Sequence, residues 1–276
     1  MIINGTTKIT GIFGFPVKHT LSPAMHNAAY SRLGLDYVYV PFAVAPNDIK
    51  NAVNSLRVLG ISGVNVTIPH KERVVPFLDA LGPLVRQIGS VNTIVNSYGK
   101  LTGYNTDAPG FLRDLRGKGF NPSGKTVLLF GAGGAGKAVA AALSRAGAKK
   151  IYITDSMEQK AVQLSKKTPR AVFLPFVVWQ KKIGESSLLV NATPLGMRPG
   201  KPPVAASGLK KGVFVYDLVY NRDTELGREC KKAGVKYSNG LGMLLNQGVI
   251  AFEYFTGKKA PAKVMKDALQ KQIKKI

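Results

Sequence analysis

The 276-residue sequence predicts an α/β fold in two domains, and three observations carry that expectation. The apolar run KTVLLF at 125–130 breaks into the glycine loop GAGGAG at 131–136 and resumes as an alanine-rich stretch at 138–146, the pattern of strand, tight turn and helix. Ahead of it, short apolar segments alternate with helix-patterned ones, which argues for parallel strands joined by crossover helices. The length suffices for two modest domains, each able to bury a core.

Gly131, Gly133 and Gly136 fit G-x-G-x-x-G, with Ala132, Gly134 and Ala135 between them. In that motif the first glycine permits the turn, the second lets a pyrophosphate approach the backbone, and the third lets helix pack on strand. A glycine-rich turn by itself also serves structural corners. Here a second apolar strand at 151–154 ends in Asp155, 19 positions beyond Gly136, close to where an acid that binds the adenosine ribose is expected.

Composition bounds the rest. With 45% hydrophobic and 20% charged residues the chain reads as a globular protein. No apolar run is long enough to span a bilayer and the N-terminus lacks a secretory pattern, so a cytoplasmic location without membrane attachment is expected. The single cysteine, Cys230, excludes an intrachain disulfide and a CxxC site, and no histidine–carboxylate cluster calls for a metal. The net charge of +24, from 39 basic and 15 acidic residues, invites a nucleic-acid reading. The lysines, however, are scattered in ones and twos, as at 149–150, 166–167 and 258–259, which suits a solvated surface and no specific nucleic-acid partner.

Taken in order, residues 8–15 read as a strand, and Ser22-Pro23 as a helix start with Ser22 as cap of a helix over 24–33. A strand at 37–42, a helix at 47–59 and a strand at 60–69 follow, the last delivering His70 and Lys71 to the start of another helix. A cation there needs solvent or an anionic partner, and Asn65, Thr67 and Lys71 would project where open α/β sheets bind ligands. A chance surface lysine remains the alternative. The turn at 103–107 opens a helix over 108–115 that Thr106 or Asp107 could simply cap. After a turn-rich linker at 117–124 and the dinucleotide unit come a buried strand from 188, an irregular loop at 198–203, a strand at 213–218, a helix at 224–232, and helices after Gly240 and from Pro261.

Seven motifs in this order resemble those of the shikimate dehydrogenase family: GFPVKHTLSPAMH at 14–26, NVTIPHK at 65–71, VNT at 91–93, GYNTD at 103–107, the glycine loop, NATPLGM at 191–197 and GLGMLLNQ at 240–247. The resemblance implies an N-terminal substrate-binding and catalytic domain, 1–107 plus 240–276, with the C-terminal helices returning to it. It also implies a Rossmann-type dinucleotide-binding domain, 108–239, and a cleft between the two. The implied activity is the reversible reduction of 3-dehydroshikimate to shikimate with NAD or NADP, a step of aromatic amino-acid (chorismate) biosynthesis. Thr20, Ser22 and Tyr220 are then expected on the shikimate carboxylate, and Asn65, Thr67, Asn92, Asp107 and Gln247 on the ring hydroxyls. Lys71 and Asp107 become the catalytic pair: hydride departure requires proton loss from the neighbouring oxygen, and an ammonium beside a carboxylate can relay that proton and stabilise alkoxide charge. Gly131 to Gly136 in sequence, Asp155, Lys160, Asn191, Thr193, Met197, Leu218 and Gly240 are expected around the cofactor.

Two positions depart from the family pattern. Thr20 stands where serine is usual, and its extra methyl narrows the carboxylate pocket and leaves quinate open as an alternative or additional substrate. TDSM at 154–157 stands where NADP-dependent members show Asn-Arg-Thr, so Asp155 favours NAD. A monomer or homodimer is expected. Outside enzymes, the alternative is a basic dinucleotide-fold protein that binds nucleic acid without turnover.

Overall fold

A computed structural model of the chain describes residues 2–204, 208–209 and 212–274. The chain divides into two compact units, Met1–Thr106 together with Leu245–Ile276, and Asp107–Leu244.

The first unit contains strands β1 (Lys8–Gly14), β2 (Tyr37–Ala43), β3 (Gly63–Val66), β4 (Ala80–Leu81), β5 (Thr93–Ser97) and β6 (Lys100–Tyr104). They form one sheet in the order β2-β1-β3-β5-β6-β4. β1 pairs in parallel with β2 and β3, because the helices α1 (Ser22–Arg32) and α2 (Ile49–Val58) carry the chain across. The parallel expectation fails at β5, which is antiparallel to both β3 and β6. Its link to β6 is the cause: Tyr98 and Gly99 alone join the strands, with φ of 52° and 86°, a two-residue turn of the type I′ sense that is too short for a crossover.

Two further expectations fail locally. Ser22 is not a helix cap: Leu21 holds that position without a side-chain bond, and Ser22 already lies inside α1, with Pro23 in the first turn. No α-helix starts at Lys71 either. Residues 71–74 form turns leading into a single 3-10 turn at Val75–Phe77, since Pro76 has no N–H to donate and its ring would meet the Glu72 carbonyl of a continuing helix. The helix α3 (Pro83–Ile88) follows, ended by Gly89 at φ 68°.

Leu56 of α2 packs with Val64 and Val66 of β3, Ile94 of β5 and Leu101 of β6, each at most 2% exposed. Complete burial of each such side chain stabilises by about 1.5–3 kcal/mol.

The second unit begins with α4 (Asp107–Gly117). Strands β7 (Thr126–Phe130), β8 (Lys150–Thr154), β9 (Ala171–Phe173), β10 (Leu188–Asn191), β11 (Phe214–Asp217) and β12 (Lys236–Asn239) form a sheet in the order β12-β11-β10-β7-β8-β9, parallel at every pairing. Helices α5 (Gly134–Arg145), α6 (Glu158–Lys167), α7 (Gln180–Ile183) and α8 (Glu225–Lys232) lie in the connections. β9 and β12 are three and four residues long, too short for alternation to announce them. The chain winds outward from β7 to β9 and restarts at β10 on the other side of β7. That reversal is a topological switch point, where open parallel sheets bind ligands beyond the strands' carboxyl ends.

The helix α9 (Leu241–Thr256) contains the boundary between the units, after Leu244, and α10 (Ala262–Ile273) packs on α1. No helix among the described residues is long and apolar enough to cross a membrane.

Candidate active site

In the second unit, the loop after β7 is shaped by what it cannot accommodate. Gly131 adopts φ 102°, and a Cβ on Gly136 would strike the Gly131 carbonyl oxygen, so strand end and helix start approach more closely than any side chain permits. α5 opens at Gly133 without a side-chain cap, the kind of helix start whose first-turn N–H groups can receive an anion. Asp155, just past β8, folds back onto this loop: Oδ2 accepts the Ala132 N–H at 2.7 Å and Oδ1 accepts the Met157 N–H at 2.8 Å. Lys160 is exposed on α6.

The loop after β10 is organised by Asn191. Its Nδ2 donates to the Leu195 carbonyl at 3.0 Å and to Asp217 Oδ1 at 2.9 Å, while Oδ1 accepts the Thr193 hydroxyl at 2.6 Å. Asp217 is buried at the end of β11 and also accepts from the Val219 N–H and the Thr224 hydroxyl; burial raises its pKa, against those bonds. Met197 stays 47% exposed beyond this loop. A Cβ on Gly240 would meet the Leu218 carbonyl, so these two positions also close to backbone distance. The glycine loop, the acid just past β8 and an apolar flank at the switch point together fit a bound dinucleotide.

Asp107 is the first residue of α4, where the macrodipole favours a carboxylate. It is near enough to Tyr220 that its charge, after burial, raises the phenol's pKa. Thr106, directly before α4, accepts from Asn92 Nδ2 at 2.8 Å through its hydroxyl.

In the first unit, Asn65 projects from β3, and Asn92 from the segment before β5. Gln247 projects from α9. Asn65 Nδ2 donates to the Asn92 carbonyl and to Thr93 Oγ1, both at 3.1 Å, and Asn92 Nδ2 donates to Gln247 Oε1 at 3.4 Å. All three side chains are at most 8% exposed. Lys71 sits on a turn held at both ends. The His70 N–H donates to the Thr67 carbonyl at 2.9 Å, the His70 ring bonds the Val44 carbonyl at 2.8 Å, and the Lys71 carbonyl accepts the Val91 N–H at 2.8 Å. Thus Lys71 is tied to the same segment that carries Asn92. Thr20 and Ser22 lie where the chain enters α1, with the Ser22 N–H directed at Thr20 Oγ1 at 3.4 Å. Thr67, directly after β3, donates its N–H to the Phe13 carbonyl at 2.9 Å.

Three family profiles match the chain: the shikimate dehydrogenase substrate binding domain over residues 12–94, shikimate/quinate 5-dehydrogenase over 115–196, and the shikimate 5'-dehydrogenase C-terminal domain over 240–270. A shikimate dehydrogenase (NADP(+)) of Desulforamulus reducens is 48% identical, covering 99% of this chain and 98% of the relative. The chain belongs to the shikimate dehydrogenase family. A shikimate dehydrogenase solved in complex with NADP+ superposes with a TM-score of 0.92 at 39% identity, covering 99% of this chain and 98% of that one. The Listeria monocytogenes shikimate 5-dehydrogenase, solved with shikimate and NAD, gives 0.88 at 36% identity, covering 96% and 97%.

Most of the expected site residues come from positions that the family motifs mark. Among the supporting residues, Thr93 between Asn65 and Asn92, Thr106 on Asn92 and the His70 ring lie inside those motifs without an expected role in the site, whereas Tyr39, whose hydroxyl bonds Asn65, and Asp217 lie outside them. Only the carboxylate at a strand end carried a signal that could have found one of them. A tyrosine in an alternating strand looks like any other core aromatic.

Proposed function

We propose that the chain catalyses the reversible oxidation of shikimate to 3-dehydroshikimate with NAD or NADP. The observation that carries this reading is the buried Asn65–Asn92–Gln247 network beside the anchored turn of Lys71, in a member of this family. Such a network is poised to hydrogen-bond ring hydroxyls, and it is costly to bury for any other purpose. Unit Met1–Thr106 with Leu245–Ile276 is the substrate-binding part, and Asp107–Leu244 the dinucleotide-binding part.

In this reading Thr20, Ser22 and Tyr220 hold the carboxylate, and Asn65, Thr67, Asn92, Asp107 and Gln247 the hydroxyls. The Lys71 ammonium offsets the developing alkoxide charge and relays the hydroxyl proton, passing one of its own to solvent as it receives that of the substrate, while Asp107 accepts a hydrogen bond that orients that hydroxyl. Bound NAD(P)+ supplies the hydride acceptor. Gly131, Gly133 and the first turn of α5 receive the pyrophosphate, and Asn191, Thr193, Met197, Leu218 and Gly240 line the nicotinamide side. A cytoplasmic enzyme, monomeric or homodimeric, is the accompanying expectation.

Asp155 supports a lean toward NAD. Its carboxylate is held by the Ala132 N–H of the glycine loop and the Met157 N–H beyond β8, where it can still accept from ribose hydroxyls but repels a 2′-phosphate. Ser156 and Met157 supply no counter-charge, and Lys160 on α6 is the nearest cation in sequence beyond the strand. Steady-state kinetics with shikimate and quinate, each with NAD+ and NADP+, test both levels. The expected result is turnover of shikimate with kcat/KM for NAD+ equal to or above that for NADP+, reversed by Asp155→Asn combined with Ser156→Arg. No turnover of shikimate overturns the function; a tenfold wild-type preference for NADP+ overturns only the cofactor preference.

A further inference from the structure

Tyr39 lies mid-way along β2, 1% exposed, and is held from three directions. Asn27 of α1 grips its backbone, donating to the Tyr39 carbonyl at 2.9 Å and accepting the Tyr39 N–H at 2.8 Å, on the side that this edge strand turns away from β1. The ring stacks on His26 with centroids 4.3 Å apart and planes 11° from parallel. The hydroxyl meets Asn65 Oδ1 at 2.8 Å.

Chemistry fixes the sense of that last bond. The other end of the Asn65 amide faces the Asn92 carbonyl, which only accepts, so the atom there is Nδ2 and the atom facing Tyr39 is oxygen. Tyr39 is therefore the donor. The second Nδ2 hydrogen goes to Thr93 Oγ1. Three of the four hydrogen-bonding positions of the carboxamide are filled, and the one remaining is a lone pair on Oδ1. Asn65 can then address a substrate hydroxyl only as an acceptor. Donation continues in the same sense from the Thr93 hydroxyl to Asn92 Oδ1 at 3.2 Å, and from Asn92 Nδ2 to Gln247 Oε1.

We propose that Tyr39 is a positioning residue of the substrate site, acting through Asn65: its hydroxyl sets the orientation and polarity with which Asn65 meets a shikimate hydroxyl. This rests on the functional reading above. Burial and the neighbouring Tyr30 hold the phenol's pKa well above its ordinary value, against a contact from the Ser22 side chain, so the donor keeps its proton throughout the working pH range.

Tyr39→Phe removes the hydroxyl and keeps the ring on His26; Tyr39→Leu removes both. The expected result for Tyr39→Phe is a KM for shikimate raised about five- to tenfold, the equivalent of one neutral hydrogen bond, with kcat within about twofold, cofactor KM unchanged and the thermal midpoint retained. Combining it with Asn65→Ala should raise KM little beyond Asn65→Ala alone, because the two act through one bond. A wild-type KM in Tyr39→Phe with damage confined to Tyr39→Leu makes the role one of packing and overturns the proposal. Loss of the fold in Tyr39→Phe, or fold-changes that multiply in the double variant, overturns it as well. Absence of shikimate turnover in the wild-type protein overturns the functional reading and this inference with it; wild-type turnover with an unchanged Tyr39→Phe overturns the inference alone.

Discussion

At the scale of single residues, the proposed chemistry concentrates on Lys71 and Asp107, two side chains whose placement has different causes. Lys71 is positioned by its neighbours' bonds, through His70 to Val44 and through its own carbonyl to Val91. Asp107 is positioned by the start of α4. Lys71→Ala and Asp107→Asn should each lower kcat by about 10²–10⁴-fold, the range of general acid–base catalysis, with the fold and cofactor binding kept. Ordinary turnover in either variant would remove that residue from the mechanism, and unfolding of the Asp107 variant would return it to a helix-start role. Gly136→Ala belongs to the same scale. Its Cβ would collide with a backbone carbonyl, which cannot move aside as a side chain could, so NAD(P)H binding followed by nicotinamide fluorescence should be lost or severely weakened.

At the scale of the element, α1 is the most heavily used helix of the first unit. Its residues Ser22, His26 and Asn27 all meet Tyr39, and its hidden face carries an uncharged imidazole. His26 is fully buried among Tyr30, Tyr39, Phe252 and Phe255, and neither ring nitrogen has a hydrogen-bond partner among the described residues. Desolvation lowers its pKa from 6.5 to about 3. The unfolded chain therefore takes up a proton below pH 6.5 that the folded chain refuses until about pH 3. Stability contributed by this site is intact above pH 6.5 and declines on acidification by about 1.4 kcal/mol per unit. Denaturant unfolding at pH 7 and pH 5 should show the wild type losing about 2 kcal/mol more than His26→Leu over that interval. Parallel losses in the two proteins would mean that His26 is protonated in the fold.

At the scale of the whole molecule, the formal charge of +24 is the feature that neither fold nor site requires. Many of its lysines lie at the ends of helices and strands, as Lys166 and Lys167 do in the last turn of α6 and Lys231 and Lys232 in that of α8, where cations complement the macrodipole. A surface of this kind attracts polyanions without reading them. In a gel-shift assay, DNA should bind at low salt and be released by physiological salt, since such affinity comes from released counter-ions. Sequence-preferring binding that survives physiological salt would reveal a dedicated site instead.

Features governed by local backbone chemistry could be read from the residues alone. Glycines that only a tight strand-to-helix turn requires, an acid at the end of the next strand, and polar residues at the end of β3 were all legible, because turn geometry and strand periodicity act over a few residues. Tertiary structure alone decided who partners whom. Asn92 and Gln247 are 155 positions apart yet share a hydrogen bond, and Tyr39 reaches Asn65 across the sheet. Ser22, a cap by its local signal, lies inside the helix; the helix expected at Lys71 is broken by Pro76; and a two-residue turn reverses β6 against β5. The long-range pairs share one physical reason. Each polar contact is worth on the order of 1 kcal/mol and is chosen by proximity in the folded chain, so its donor and acceptor leave no periodic trace in the sequence.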